Sequence, residues 1–106
     1  MISDTRAEKA LRYLAETDEI CAKMKADMER AEYMYKSMRE TVFKISTGTV
    51  AERQAEAVTH ESTIKAHDAF VTSIKNYNAV ANKRATEVIV IDCWRTIQSN
   101  RRAGNV

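Results

Sequence analysis

The sequence predicts an all-α fold: a long antiparallel two-helix coiled-coil hairpin with a short middle helix, dimerising into a four-helix bundle. The chain of 106 residues contains no proline, and its only glycines are Gly48 and Gly104. Helix interiors exclude both residue types, so this distribution is typical of a nearly all-helical chain. Apolar residues also recur at helical spacing in both halves. We expect a single helical domain over 1–106.

The first helix is predicted over about 5–46. Its start is indicated by Thr5-Arg6-Ala7-Glu8, a capping box in which Thr5 and Glu8 satisfy each other's backbone amides. One face carries a heptad stripe whose 4-3 spacing keeps it turned toward a partner helix. With Thr17 as the only polar member, this heptad stripe consists of Ala10, Leu14, Thr17, Cys21, Met24, Met28, Ala31, Tyr35, Met38, Val42 and Ile45.

A short middle helix is predicted over about 50–58. Gly48 is suited to the left-handed conformation that follows a helix end. Thr49 and Glu52 then form a second capping box, so a new helix begins at once. The segment Thr59-His60-Glu61-Ser62 is rich in residues that favour caps and turns, and it predicts a second break with Ser62 as N-cap.

The last helix is predicted over about 63–102, ending before Gly104. Its segment 88–91 is apolar all round. A strand is the alternative for this β-branched run, but no second strand-like segment exists to pair with it. One neighbouring helix cannot cover an all-round apolar helix, so the run predicts a dimer or higher oligomer. The candidate oligomer interface comprises Val88, Ile89, Val90, Ile91, Trp94 and Ile97.

Positive charge concentrates in the last part of the chain. The net charge is only +2, but residues 61–106 hold seven Lys and Arg against four Asp and Glu. Arginine suits bidentate phosphate contact, and an exposed Trp94 would stack on a base. The alternatives are that these cations favour the helix dipole and that Trp94 is buried. The candidate nucleic-acid contacts are Lys83, Arg84, Arg95, Arg101 and Arg102.

Catalytic, cofactor and metal chemistry is not expected. His60 and His67 are spaced too widely for a compact pair of metal ligands on one helix, and His67 is predicted to be a buried or interfacial polar residue. Cys21 and Cys93 are predicted to be reduced thiols packed in apolar surroundings, without a base beside them. We therefore predict a protein that is not an enzyme and holds no cofactor.

The hydropathy pattern predicts a protein outside the membrane. No apolar run approaches the ~18 residues that span a bilayer, and the chain does not start with a basic segment followed by an apolar one. We therefore expect a cytoplasmic protein that is neither secreted nor membrane-bound.

Two segments stand out together, Gly48-Thr49-Val50-Ala51-Glu52-Arg53 and Trp94-Arg95 with Ser99, Arg101 and Arg102. Through them the chain resembles, over most of its length, small helical proteins encoded by tailed bacteriophages and prophages. Such proteins often lie among early genes for recombination and replication. The resemblance implies a phage origin, action in the host-cell cytoplasm and a setting in DNA metabolism. It carries over no catalytic residue.

Three functions are compatible with this pattern. The first is a non-enzymatic adaptor that self-associates, with a dimer favoured, and binds a phage or host protein or DNA. The second is a structural oligomer, a virion or scaffold component held together by the heptad stripe. The third is a small inhibitor of a host defence or repair enzyme.

Overall fold

The computed structural model describes residues 1–104 and consists of three helices within them: α1 (Asp4–Ile45), α2 (Val50–Thr59) and α3 (Glu61–Arg102). No strand occurs in this range. The predicted all-α helical hairpin with a short middle helix is therefore confirmed.

The end of α1 and the start of α2 follow the predicted capping chemistry. Gly48 has φ +110°, and a Cβ atom there would come within 2.6 Å of Glu52 Oε2. Thr49 is the N-cap of α2, and its hydroxyl accepts a hydrogen bond from the Glu52 amide at 3.2 Å. The hydroxyl also donates to Glu52 Oε1 at 3.2 Å. These contacts allow α2 to begin after a connection of only four residues, 46–49, and they require glycine at the turn.

Two predicted N-caps are wrong. Helix α1 begins before Thr5, because the hydroxyl of Ser3 accepts from the Arg6 amide at 3.1 Å. At the start of α3, His60 is the single non-helical residue, and its Nδ1 atom accepts from the Ser62 amide at 3.0 Å. Ser62 therefore lies inside α3. The histidine ring serves as the acceptor that a serine hydroxyl was expected to supply.

The chain forms two compact units, each built from parts of α1 and α3. The terminal unit contains Met1–Ala22 and the described part of Asn78–Val106, and the middle unit contains Lys23–Tyr77. In the terminal unit the helices run antiparallel, since the start of α1 lies beside the end of α3 and Thr17 lies beside Arg84. In the middle unit, Lys23–Tyr77, α2 packs beside α1.

The terminal unit has a thin core. Its buried apolar residues are Ala7, Ala10 and Ile91, which is 6% exposed. Two alanines at this spacing allow α1 and α3 to approach closely, but they bury little apolar area. The heptad stripe faces inward here, with Ala10 buried and Leu14 and Cys21 half-buried.

The middle unit packs around Val42, Ala57 and Thr63, which are all buried. The Tyr35 ring lies edge-on to the His67 ring at 4.9 Å between centroids. The heptad stripe remains half-buried or buried from Met24 to Val42, but its last member, Ile45, is 72% exposed. The stripe therefore contacts the rest of the fold along most of its length and loses that cover at its final residue.

Candidate functional site

The predicted basic set divides into two groups. Lys83 and Arg84 lie in the middle of α3, and Arg95, Arg101 and Arg102 lie near its end. The Lys83 ammonium lies over the Tyr13 ring, 4.5 Å from its centroid. A cation held on an aromatic face in this way is already stabilised within the fold.

Arg84 is used inside the fold. Its Nη1 atom donates to the Leu14 carbonyl and to the Thr17 hydroxyl, each at 2.7 Å. Its Nη2 atom lies 3.3 Å from Asp18 Oδ1, and the side chain is only 21% exposed. Arg84 is therefore engaged with α1 through these three contacts, and its role as a nucleic-acid contact stays a prediction. The contact explains why the heptad stripe contains one polar residue.

The end of α3 forms a small cleft next to the start of α1. Its volume is about 290 Å³, and it is lined by Trp94, Arg95, Gln98 and Arg102. Trp94 is half-buried, and its indole N–H donates to Asp4 Oδ1 at 2.8 Å. The sequence offered two alternatives for Trp94, exposed or buried, and the structure places the residue between them. One edge of the ring is fixed and the ring lines an open cleft.

Arg101 lies on a neighbouring surface. Its Nη2 atom is 3.7 Å from Met1 Sδ, and together with the first five residues it lines a second shallow cavity. Three of the five predicted basic contacts thus remain exposed near the end of α3, divided between two adjacent surfaces. Gln98, which lines the first cleft, was not predicted because a lone glutamine in a helix carries no signal in the sequence.

The candidate oligomer interface also divides. Val88 and Ile89 are 46% and 62% exposed, whereas Ile91 is buried in the terminal unit. Val90, Trp94 and Ile97 are half-buried. The apolar run therefore serves the hairpin through one face and exposes two large side chains through another. Leu11 of α1, in the same unit, is 51% exposed.

An ion pair between a half-exposed arginine and a buried glutamate joins the two helices of the terminal unit. Arg6 Nη2 donates to Glu87 Oε1 at 2.9 Å, and Nη1 lies 2.7 Å from Oε2. Glu87 is only 7% exposed, and Oε2 has this ionic contact without a well-aligned hydrogen bond. The hydrogen bond from Arg6 lowers the pKa of the Glu87 carboxyl below its ordinary value of 4.5, and burial opposes that shift. The positive charges of Arg6 and Lys83 lower the pKa further.

This ion pair predicts a loss of stability in acid. Because the pKa of Glu87 is lower in the folded chain, its contribution is present above the unfolded value of 4.5 and is lost as pH falls through the folded value. We expect the melting temperature to fall less steeply for Glu87→Gln than for the parent between about pH 6 and about pH 3.

The matched control for this prediction is Glu40→Gln. Glu40 pairs with Lys44 at 3.1 Å on an exposed face, where both side chains are more than 60% accessible. Such a surface pair contributes little, so this variant should keep the pH dependence of the parent. If the melting temperatures of Glu87→Gln and the parent fall in parallel as the pH is lowered, the Glu87 carboxylate does not cause the loss of stability in acid.

The middle unit contains a groove that the sequence did not indicate. It measures about 610 Å³ and lies between α1 and α2, lined by Lys36, Arg39, Glu40, Phe43, Gln54 and Val58. Arg53 fixes one wall, because its Nε donates to the Phe43 carbonyl at 3.1 Å and its guanidinium lies over the Phe43 ring at 4.3 Å. The capping box had predicted α2, but no local pattern specifies which side of α1 it covers.

The histidines and cysteines do not converge. His67 is exposed rather than buried, but its ring contacts Tyr35 of α1, which fits the interfacial alternative, and His60 caps α3. Cys21 is half-buried and Cys93 is exposed, so the expected core position of Cys93 is also wrong. Across residues 1–104, no group of three His, Cys, Asp or Glu side chains is placed to hold a metal ion.

Comparison with known proteins yields no relative for this chain. No protein-family model, curated protein or solved structure matches it. The resemblance to phage proteins therefore stays a prediction. In the part of the chain that the structure describes, no helix is long and apolar enough to cross a lipid bilayer.

Proposed function

We propose that this chain is a non-enzymatic adaptor that self-associates as a dimer and binds a protein or nucleic acid. The setting we propose is phage DNA metabolism in the cytoplasm of the host cell, which rests on the resemblance of the Gly48–Arg53 and Trp94–Arg102 segments to phage proteins. The self-association rests on a physical observation, the imbalance between buried and exposed apolar side chains.

That imbalance is large. Among residues 1–104 five apolar residues are buried, three of them alanines, whereas large apolar side chains from Leu11 to Ile89 remain about half exposed or more. Each square ångström of apolar surface left in water forfeits roughly 25 cal/mol of stabilisation. A long hairpin with so few large buried side chains gains most from covering a second apolar face. Association supplies that cover at the cost of lost rotational and translational freedom.

A second copy of the chain is the occupant we propose for the exposed face of α3. Val88 and Ile89 are adjacent in sequence and belong to the same unit as Leu11, which is also half exposed. In a two-fold symmetric pair one self-complementary patch covers itself, so no separate complementary surface is needed. Two hairpins joined in this way give the four-helix bundle that the sequence predicts.

The test is the native mass of the particle, measured by light scattering after size-exclusion chromatography. We expect the parent to have twice the 12.1 kDa chain mass. Val88→Lys and Ile89→Lys should each shift it to the single-chain mass, because a lysine ammonium cannot be desolvated in an apolar interface without a partner.

Ala79→Lys is the matched control for Val88→Lys. Ala79 is an exposed residue of α3 in the same unit, nine positions before Val88. At 3.6 residues per turn this spacing places it on the opposite side of the helix from Val88. The control should remain a dimer. A monomeric parent, or dimers for both apolar-site variants, would overturn the proposal.

A structural oligomer is the second candidate, and exposed residues of the middle unit favour it. Tyr33 and Val58 are 69% and 61% exposed there, so this unit has an apolar surface of its own. A chain with two separate self-associating surfaces builds assemblies larger than a dimer. The same light-scattering measurement separates the candidates, because a single dimeric species excludes the larger assembly.

A further inference from the structure

We propose that the cleft lined by Trp94, Arg95, Gln98 and Arg102 binds single-stranded nucleic acid. One base stacks on the Trp94 indole, and the two guanidinium groups contact phosphates. The inference deepens the proposed function, on which it rests for the assumption that the adaptor has a nucleic-acid partner. It specifies where the nucleic acid binds and that the bound nucleic acid is single-stranded.

The indole of Trp94 is held in place before any ligand binds. Its Nε1–H donates to Asp4 Oδ1 at 2.8 Å, and Gln98 Nε2 lies 3.4 Å from the same oxygen. The ring is therefore fixed at its polar edge by α1 while it lines a cleft of about 290 Å³. A pre-positioned aromatic ring loses little conformational entropy when a base stacks on it.

The cationic groups of the cleft are available to a phosphate. Arg95 is 69% exposed, and the one ionic contact it makes with the described residues, to Asp92 of the same helix, is long at 3.9 Å. Arg102 is exposed and follows Arg95 by seven residues, which is two helical turns or about 10 Å along the axis. The two guanidiniums therefore line one side of the helix at a separation that flexible arginines adjust to neighbouring phosphates.

The dipole of α3 repels an anion at the C-terminal end of the helix, but Arg95 lies beyond the range of this effect. The carbonyl groups of the last turn carry the negative end of the dipole, whose effect falls off within one turn. Arg102 lies in that turn, and its full positive charge exceeds the helix-end charge of roughly −0.5, so this end of α3 stays net positive toward a phosphate. Arg95 lies two turns earlier, outside the range of the dipole, so its charge remains available to a ligand.

Single-stranded nucleic acid fits this chemistry better than a duplex or an acidic peptide. Bases of a duplex are stacked on each other and cannot reach an indole, whereas single-stranded bases are free to stack on an aromatic side chain. A peptide partner would require apolar anchor pockets. Trp94 is the one apolar side chain among the residues that line this cleft.

Trp94 is the only tryptophan of the chain, so its fluorescence reports directly on stacking. We expect an oligothymidylate of about twelve nucleotides to quench it saturably at low salt, and a duplex of the same length to quench it far less. The double variant Arg95→Ala/Arg102→Ala should bind the oligonucleotide at least tenfold more weakly. The slope of log affinity against log salt should fall by about 1.4, as expected for two lost phosphate contacts on a single strand.

The matched control is Arg12→Ala/Arg30→Ala, which removes the same charge from two exposed arginines outside the cleft. It should retain the affinity of the parent. If both double variants weaken oligonucleotide affinity equally, the binding is general electrostatic attraction and not a specific site. If the oligonucleotide binds without quenching the fluorescence, no base stacks on Trp94. A lower melting temperature of the cleft variant with unchanged affinity would show that its arginines serve only the helix dipole. Each of these results overturns the proposal.

The native mass is measured on the same samples, so failures of the two proposals are distinguishable. A dimer that fails to quench with oligonucleotide overturns the cleft assignment and leaves self-association intact. A monomer that quenches normally overturns self-association and leaves the cleft assignment intact.

Discussion

Ile91→Ala is expected to lower the free energy of unfolding by about 2 to 5 kcal/mol, the range for truncating a large buried side chain. Ile91 is 6% exposed, and the other apolar residues buried in its unit are Ala7 and Ala10. Neither alanine has a side chain able to move into the space that the isoleucine leaves. The cavity therefore remains largely unfilled, which places the loss in the upper part of the range. Urea denaturation followed by circular dichroism measures it.

Ile89→Ala is the control for this experiment, two residues away and 62% exposed. Truncation there removes little intramolecular contact, and alanine has the higher helix propensity. Its effect should instead depend on protein concentration, because a lost dimer contact alters stability by mass action. By contrast, a large part of the loss in the free energy of unfolding caused by Ile91→Ala should be independent of protein concentration. Equal losses in the free energy of unfolding for both variants at the lowest protein concentration would show that Ile91 is not the residue of this run that faces α1.

The contrast between these two residues shows what the sequence predicts and what it leaves open. Periodicity and capping residues predicted three helices, and Gly48 and Thr49 specified the turn between the first two. Local pattern also placed the heptad stripe on the inner face of α1. Within the run from Val88 to Ile91 every side chain is apolar, so no periodicity selects the inward residue. Contacts with α1 make that choice, and they join residues far apart in sequence.

The buried carboxylate of Glu87 illustrates the same limit at the candidate sites. In the sequence it reads as an acidic interruption of a basic patch. In the structure it is 7% exposed and paired with Arg6, which is 81 residues away. Charge composition predicts that a basic end exists, but the pairing of each cation is a tertiary property. Arg84 is paired with α1, whereas Arg95 and Arg102 are exposed and line the same cleft as Trp94.

Arg84→Leu is expected to lower the free energy of unfolding by about 1.5 to 3 kcal/mol, the range for a hydrogen bond to a charged group. The variant removes the donor that serves both the Leu14 carbonyl and the Thr17 hydroxyl at 2.7 Å. The hydroxyl keeps one bond, since it donates to the Tyr13 carbonyl at 2.7 Å. The destabilisation therefore arises from the lost charge-assisted bonds and from a polar atom left facing an apolar side chain.

The double variant Arg84→Leu/Thr17→Leu should recover most of that loss. Two leucines replace a polar pair formed by Thr17 of the heptad stripe and Arg84 of α3, and exchanging both partners of such a pair for apolar groups is often neutral or stabilising. The coupling energy from a double-mutant cycle should fall between about 0.5 and 3 kcal/mol. Strictly additive single and double variants would show that Thr17 and Arg84 act independently. Recovery of stability would show that the Thr17–Arg84 pair is not needed for the free energy of unfolding. Its contribution would then be the register of α1 and α3, because one polar position in an apolar stripe fixes the alignment of two helices that leucines alone would leave free to slide.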